Sequence, residues 1–228
     1  MRNVPLASLV AAVMLAAVPL ASAGTLVVGN PPNSGNCFPF GCAIWAPEYQ
    51  QVYAKADFPG QLSITGLTFY NTLGGAGNGF NGGLYTIALS STPKPVNGLD
   101  LTDLSNNIGA DNTVVFSGLL SAGLIPVGGS QTIVFSAPFT YDPASSLNLL
   151  LDVFSPAPIQ ALSFFDEDFG NAGGLFSRAM TPGCCLGFSD TGLVTGFVTP
   201  TPEPASVALL GVGLLGLGAL RRGTRPRQ

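Results

Sequence analysis

Apolar and polar residues alternate with a period of two in several short runs, and the clearest is Leu147–Val153. There Leu147, Leu149, Leu151 and Val153 fall on one face and Asn148 and Asp152 on the other, which predicts a strand with one side against a core. Similar runs, rich in β-branched and aromatic residues and bounded by Gly, Pro and Asn, predict further strands. These are 62–70, 84–90, 113–117, 131–136, 147–154, 161–165, 175–179 and 193–198. No interior segment carries a long 3.6-residue stripe, and 99–105 has room for one helical turn. The fold predicted is all-β, a two-sheet antiparallel sandwich, jelly-roll-like. No internal repeat of 20 to 50 residues points to a propeller or β-helix. The Gly- and Asn-rich stretch 71–83 reads as a turn-rich loop. No Gly-Lys-Ser/Thr follows it and a strand comes next, so it does not read as a phosphate cradle.

Both ends of the chain break this pattern. Met1–Asn3 is basic, Leu6–Val18 is apolar, and Ala21-Ser22-Ala23 supplies small residues for cleavage. Residues 1–23 therefore read as a signal peptide for Sec-type export, with mature protein from Gly24. At the other end, 200–204 is a proline-spaced linker, 205–220 an uncharged apolar run, and 221–228 a basic tail. A helix over 205–220 would span about 24 Å against a hydrocarbon core of about 30 Å, a short but sufficient transmembrane helix. Arg221, Arg222, Arg225 and Arg227 would keep the C-terminus in the cytoplasm. The exported β-domain is then 24–199.

Pro202-Glu203-Pro204, Leu209-Leu210-Gly211 and Arg221-Arg222, in that order, resemble the PEP-CTERM sorting signal of Gram-negative bacteria. The resemblance covers about 29 residues. It implies that an exosortase, a membrane-embedded sorting enzyme, reads Pro202, Glu203 and Pro204, with Arg221 and Arg222 closing the signal. It implies a transient anchor in the inner membrane and delivery to the cell envelope or exopolysaccharide matrix. It carries no information on what the delivered domain does.

Charge and composition narrow that question. The chain is −4 overall, but five of its eight basic residues are Arg2 and the four tail arginines. The domain keeps Lys55, Lys94 and Arg178 against 11 acids, 3 − 11 = −8, which argues against nucleic-acid binding. With no histidine, catalysis by Ser-His-Asp, Cys-His or a His-bound metal is ruled out. Cys37, Cys42, Cys184 and Cys185, exported to an oxidising space, are expected in disulfides. Three connectivities exist. The favoured one joins the Cys37/Cys42 loop to the adjacent Cys184-Cys185 pair, stapling the first and last parts of the domain.

Two clusters are candidates for chemistry. Asp166-Glu167-Asp168, with Asn171 close behind, reads as a solvated acidic turn, as an oxygen-rich Ca²⁺ site, or as half of a glycosidase carboxylate pair. Trp45, the only tryptophan, lies with Tyr49 and Tyr53 near Glu48. These rings could stack on sugars or pack beside a disulfide. The reading that follows is a non-enzymatic exported domain with a structural or adhesive role, needing no cofactor. The alternatives are a carbohydrate-binding sandwich, Ca²⁺-assisted, and a carboxylate-dependent glycosidase.

Overall fold

A computed structural model describes residues 24–29, 31–73, 79–159, 163–170, 174–180 and 190–200. Residues 1–23, expected to be a signal peptide, the expected transmembrane helix 205–220 and the basic tail 221–228 lie outside these residues. Among the described residues no helix is long and apolar enough to cross a membrane.

Twelve strands follow one another in the described chain. They are β1 (Thr25–Val28), β2 (Ser34–Asn36), β3 (Glu48–Tyr53), β4 (Leu62–Asn71), β5 (Leu84–Thr92), β6 (Thr113–Leu119), β7 (Gly129–Tyr141), β8 (Asn148–Ala157), β9 (Phe165–Phe169), β10 (Phe176–Met180), β11 (Thr191–Leu193) and β12 (Thr195–Val198). Every pairing is antiparallel. They form a sheet ordered β1-β12-β4-β7, a sheet ordered β10-β3-β8-β5-β6, and a small sheet ordered β11-β9-β2. The pairs are nested. β5 pairs β6, β4 pairs β7, β3 pairs β8 and β1 pairs β12, like one long hairpin folded over on itself.

The alternation along β8 does what its sequence asks. Leu149, Leu151 and Val153 enter the main core, while Asn148, Asp152 and Phe154 stay partly or largely exposed. Both larger sheets supply that core, and rings meet edge-to-face across it: Tyr53 of β3 lies 5.0 Å from Phe197 of β12. Phe40, in the connection before β3, is fully buried and sits 4.9–5.5 Å from Phe69, Phe80, Tyr85 and Phe165.

The outer face of the five-stranded sheet is half covered. Leu150 and Val52 pack with Leu99, Leu104 and Ala179 in a second cluster, under the segment that joins β5 to β6. That segment contains a 3-10 turn, Leu104–Asn107, close to the single helical turn the sequence allows at 99–105. It presses on β5 at Gly109, where a Cβ would stand 1.9 Å from the Ser91 carbonyl oxygen, so any side chain there would push the segment away.

Four strands were absent from the periodicity: β1, β2, β3 and, apart from Leu193, β11. β3 is the instructive miss. Its sequence, Glu-Tyr-Gln-Gln-Val-Tyr, carries two adjacent glutamines, yet both are fully buried in the middle of a sheet. Their amides are satisfied. Gln50 donates to the Leu104 carbonyl and accepts from Asn107, and Gln51 exchanges hydrogen bonds with the Leu193 backbone in both directions. The strand expected at 161–165 instead runs Phe165–Phe169, through the acidic triplet.

Candidate functional site

Placing Asp166-Glu167-Asp168 in a strand turns Glu167 away from Asp166 and Asp168, because successive side chains of a strand point to opposite faces. Asp166 is 1 % exposed. Its oxygens accept from Thr72 N at 2.8 and 2.9 Å, from Thr72 Oγ1 at 2.6 Å and from Leu73 N at 3.1 Å. It therefore pins the start of the Gly-rich connection between β4 and β5. Glu167 points the other way into a buried ion pair with Nη1 of Arg178 on β10. Burial pushes the Glu167 carboxyl above the ordinary range, and Arg178 pulls it back. Asp168 is partly exposed, with Asn33 Nδ2 3.5 Å from it.

The triplet is thus neither a solvated turn nor a convergent set. Asn171 lies outside the described residues. Among the described residues no group of three or more His, Cys, Asp or Glu side chains could hold a metal ion.

The aromatic cluster also divides. Tyr49 and Tyr53 are fully buried core residues and offer no face to a sugar. Tyr49 donates to Gln51 Oε1 at 2.5 Å, and Tyr53 donates to Thr195 Oγ1 at 2.8 Å. Burial pushes both phenols well above their usual range. Together Tyr49, Gln51, Glu167 and Arg178 make a polar knot inside the core that holds β3, β9, β10 and β11 in place. All four are nearly inaccessible. Trp45 alone remains at the surface, 45 % exposed.

The cysteines correct the expected staple. Cys37 is bonded to Cys42, their Cα atoms 5.3 Å apart. The reason is local: Gly41 N and Cys42 N both donate to the Cys37 carbonyl, and that turn brings the two side chains together. Neither is left to bridge to Cys184 or Cys185, which lie outside the described residues.

One grouping was missed. Glu48 and Asp152 stand on the outer face of neighbouring strands, β3 and β8, beside the covering segment that carries Asp103. Burial pushes Asp152 up to about 6, and Glu48 adds to the rise while a hydrogen bond from Gln50 opposes it. Burial likewise raises Glu48, with Asp103 contributing. Without β3 as a strand, nothing in the sequence brings residue 48 next to residue 152. A cleft of about 140 Å³ also opens between Val27, Pro32, Tyr70, Thr72, Asp166 and Val194. Its one carboxylate is the one already bound to Thr72 and Leu73.

Among the described residues no group of three or more acids converges. β12, held between β1 and β4, finishes at Val198, and Pro200 follows, exposed. Residues 200–222 match the PEP-CTERM protein-sorting motif. The PEP-CTERM motif begins two residues past the last strand and includes Pro202, Glu203, Pro204, Arg221 and Arg222, all outside the described residues. It marks the protein as exported, sorted to the cell surface and processed by an exosortase. Neither a search of curated proteins nor one of solved structures returns a match for the chain.

Proposed function

We propose that this protein is a non-enzymatic structural or adhesive component, released from the inner membrane by an exosortase and displayed in the cell envelope or the exopolysaccharide matrix. The observation that carries the reading is the PEP-CTERM motif placed directly behind the closing strand β12. The domain that precedes it is read as a jelly-roll sandwich. The nested pairing of β1 with β12, β3 with β8, β4 with β7 and β5 with β6 supports this, with β2, β9, β10 and β11 as additions. A non-enzymatic role is supported by the disposition of the acids: Asp166 and Glu167 are each bound to a structural partner.

In the sequence, alternate prolines at 200, 202 and 204 disfavour a helix there, and four arginines would retain the apolar run 205–220 until it is cut. Changing Pro202-Glu203-Pro204 to alanines should leave insertion intact and block processing, so full-length protein accumulates in the inner membrane of an exosortase-bearing host. If that variant matures like wild type, the tail is an anchor only and the reading fails.

A further inference from the structure

The cleft beside Tyr70 is assembled from pieces of chain far apart in sequence. Val27 comes from β1, Pro32 precedes β2, Tyr70 and Thr72 lie in and just after β4, Asp166 belongs to β9, and Val194 links β11 to β12. Its volume of about 140 Å³ is close to that of an apolar cavity that accepts one benzene ring. Gly196 sets the tyrosine in place. It pairs with Val27 on one side and Thr68 on the other, and a Cβ on it would stand 2.5 Å from Tyr70 Oη. A glycine at this position lets the phenol of β4 lie across β12.

Thr72 and Asp166 form the polar end of the cleft, and their side chains accept rather than donate. Thr72 Oγ1 gives its one hydrogen to Asp166 Oδ2 at 2.6 Å, so it has only lone pairs left to offer. Thr72 N and Leu73 N also donate to the Asp166 carboxylate, and all of these donors are neutral. The charge is thus buried with no cation beside it. The domain 24–199 has three basic residues, and each is placed elsewhere. Arg178 is in the ion pair with Glu167, while Lys55 and Lys94 flank Asn148 at the start of β8. Strands β1, β4, β7 and β12 carry no charged residue.

We propose that this cleft binds a primary ammonium group carried on one compact ring. The ammonium donates to Thr72 Oγ1 with the Asp166 carboxylate behind it, and so supplies the cation that the buried charge lacks. The ring rests against Val27, Pro32, Val194 and Tyr70, where its apolar surface leaves water. Charge selects this class over the others. An anion meets the same carboxylate and a domain of net charge 3 − 11 = −8, and a neutral ring of equal size leaves Asp166 uncompensated. The site goes beyond the structural role proposed above and does not depend on how the tail is processed.

The test is saturation-transfer NMR on the purified protein, titrated with cyclohexylammonium chloride and, in parallel, with cyclohexanol as its neutral counterpart. A Kd of about 1 mM is expected for the ammonium, with cyclohexanol at least about tenfold weaker. Glucosamine is the second amine. Binding tighter than cyclohexylammonium identifies a sugar amine as the source, and weaker binding a hydrocarbon amine. Val27→Lys, at an exposed position on the cleft wall, brings an ammonium of its own and should abolish binding with an unchanged Tm. Val134→Lys adds the same charge on exposed β7 and should leave the Kd within about twofold. Thr72→Val should weaken binding by at least about fivefold, and Thr72→Ser should restore it. The proposal is overturned if neither amine shows transfer at about 20 mM, or if cyclohexanol binds as well as the ammonium. A Val27→Lys protein that binds like wild type overturns it too.

Discussion

Two acidic groupings in this domain meet opposite fates. Asp166 and Glu167 are neighbours in sequence and part company in the fold, one toward the Thr72–Leu73 backbone, the other toward Arg178. Glu48 and Asp152 are 104 residues apart and end on adjacent strands, with their carboxyls raised by burial and by nearby carboxylates. Adjacency along a strand disperses side chains, and pairing across strands collects them. A run of acids is therefore poor evidence of a site in a β-protein.

The largest effect expected from breaking the comparison is at the compensated pair. Arg178→Met leaves Glu167 buried without its cation and should cost about 3–5 kcal/mol in chemical denaturation. The double variant Arg178→Met/Glu167→Leu should recover most of that loss, because the apolar pair removes the buried charge as well. Next is Asp166→Ala. It strands the amides of Thr72 and Leu73 and should cost about 2–3 kcal/mol, with faster proteolysis in the β4–β5 connection.

The smallest effect is at the Glu48–Asp152 pair and has the opposite sign. Asp152 is raised to about 6, so the folded state holds its proton more tightly than the unfolded chain does. Stability should then rise as pH falls from 7 through 6 toward 4. Asp57, also pushed up to about 6 by burial, acts in the same direction, and so do Glu48, Glu167 and Asp168. Asp100 opposes them. Hydrogen bonds from Asn106 and Thr102 hold its carboxyl well below the ordinary range, and that contribution is lost only below about pH 4. After screening by water, Asp152→Asn should add on the order of 1 kcal/mol at pH 7, about 2–4 °C in Tm, and flatten the rise toward acid. A Tm that falls between pH 7 and 5 would contradict the account of this pair.

The same contrast explains what the sequence disclosed. β8 was legible because its solvent side is polar and its core side is not. β3 was hidden because Gln50 and Gln51 are buried polar residues whose amides are met by Leu104, Asn107 and Leu193, partners 54 to 142 residues away. Missing β3 also misplaced the aromatic cluster. Alternation puts Tyr49 and Tyr53 on the inner face with Gln51, and leaves Trp45, in the connection before the strand, at the surface. The disulfide was misjudged for a different reason: loop-closure entropy favours long bridges, but the turn at Cys37–Cys42 brings a partner within reach locally. The sorting motif was legible, since Pro202-Glu203-Pro204, the apolar run and Arg221-Arg222 are read as linear sequence and need no fold to assemble them.

The central claim is that this tail is an address removed on arrival, and the intact mass of the wild-type protein tests it most directly. Protein recovered from the surface or matrix fraction of an exosortase-bearing host should begin at Gly24 and lack the apolar run and the arginines beyond it. Protein in that fraction whose mass still includes residues 205–228 would contradict it.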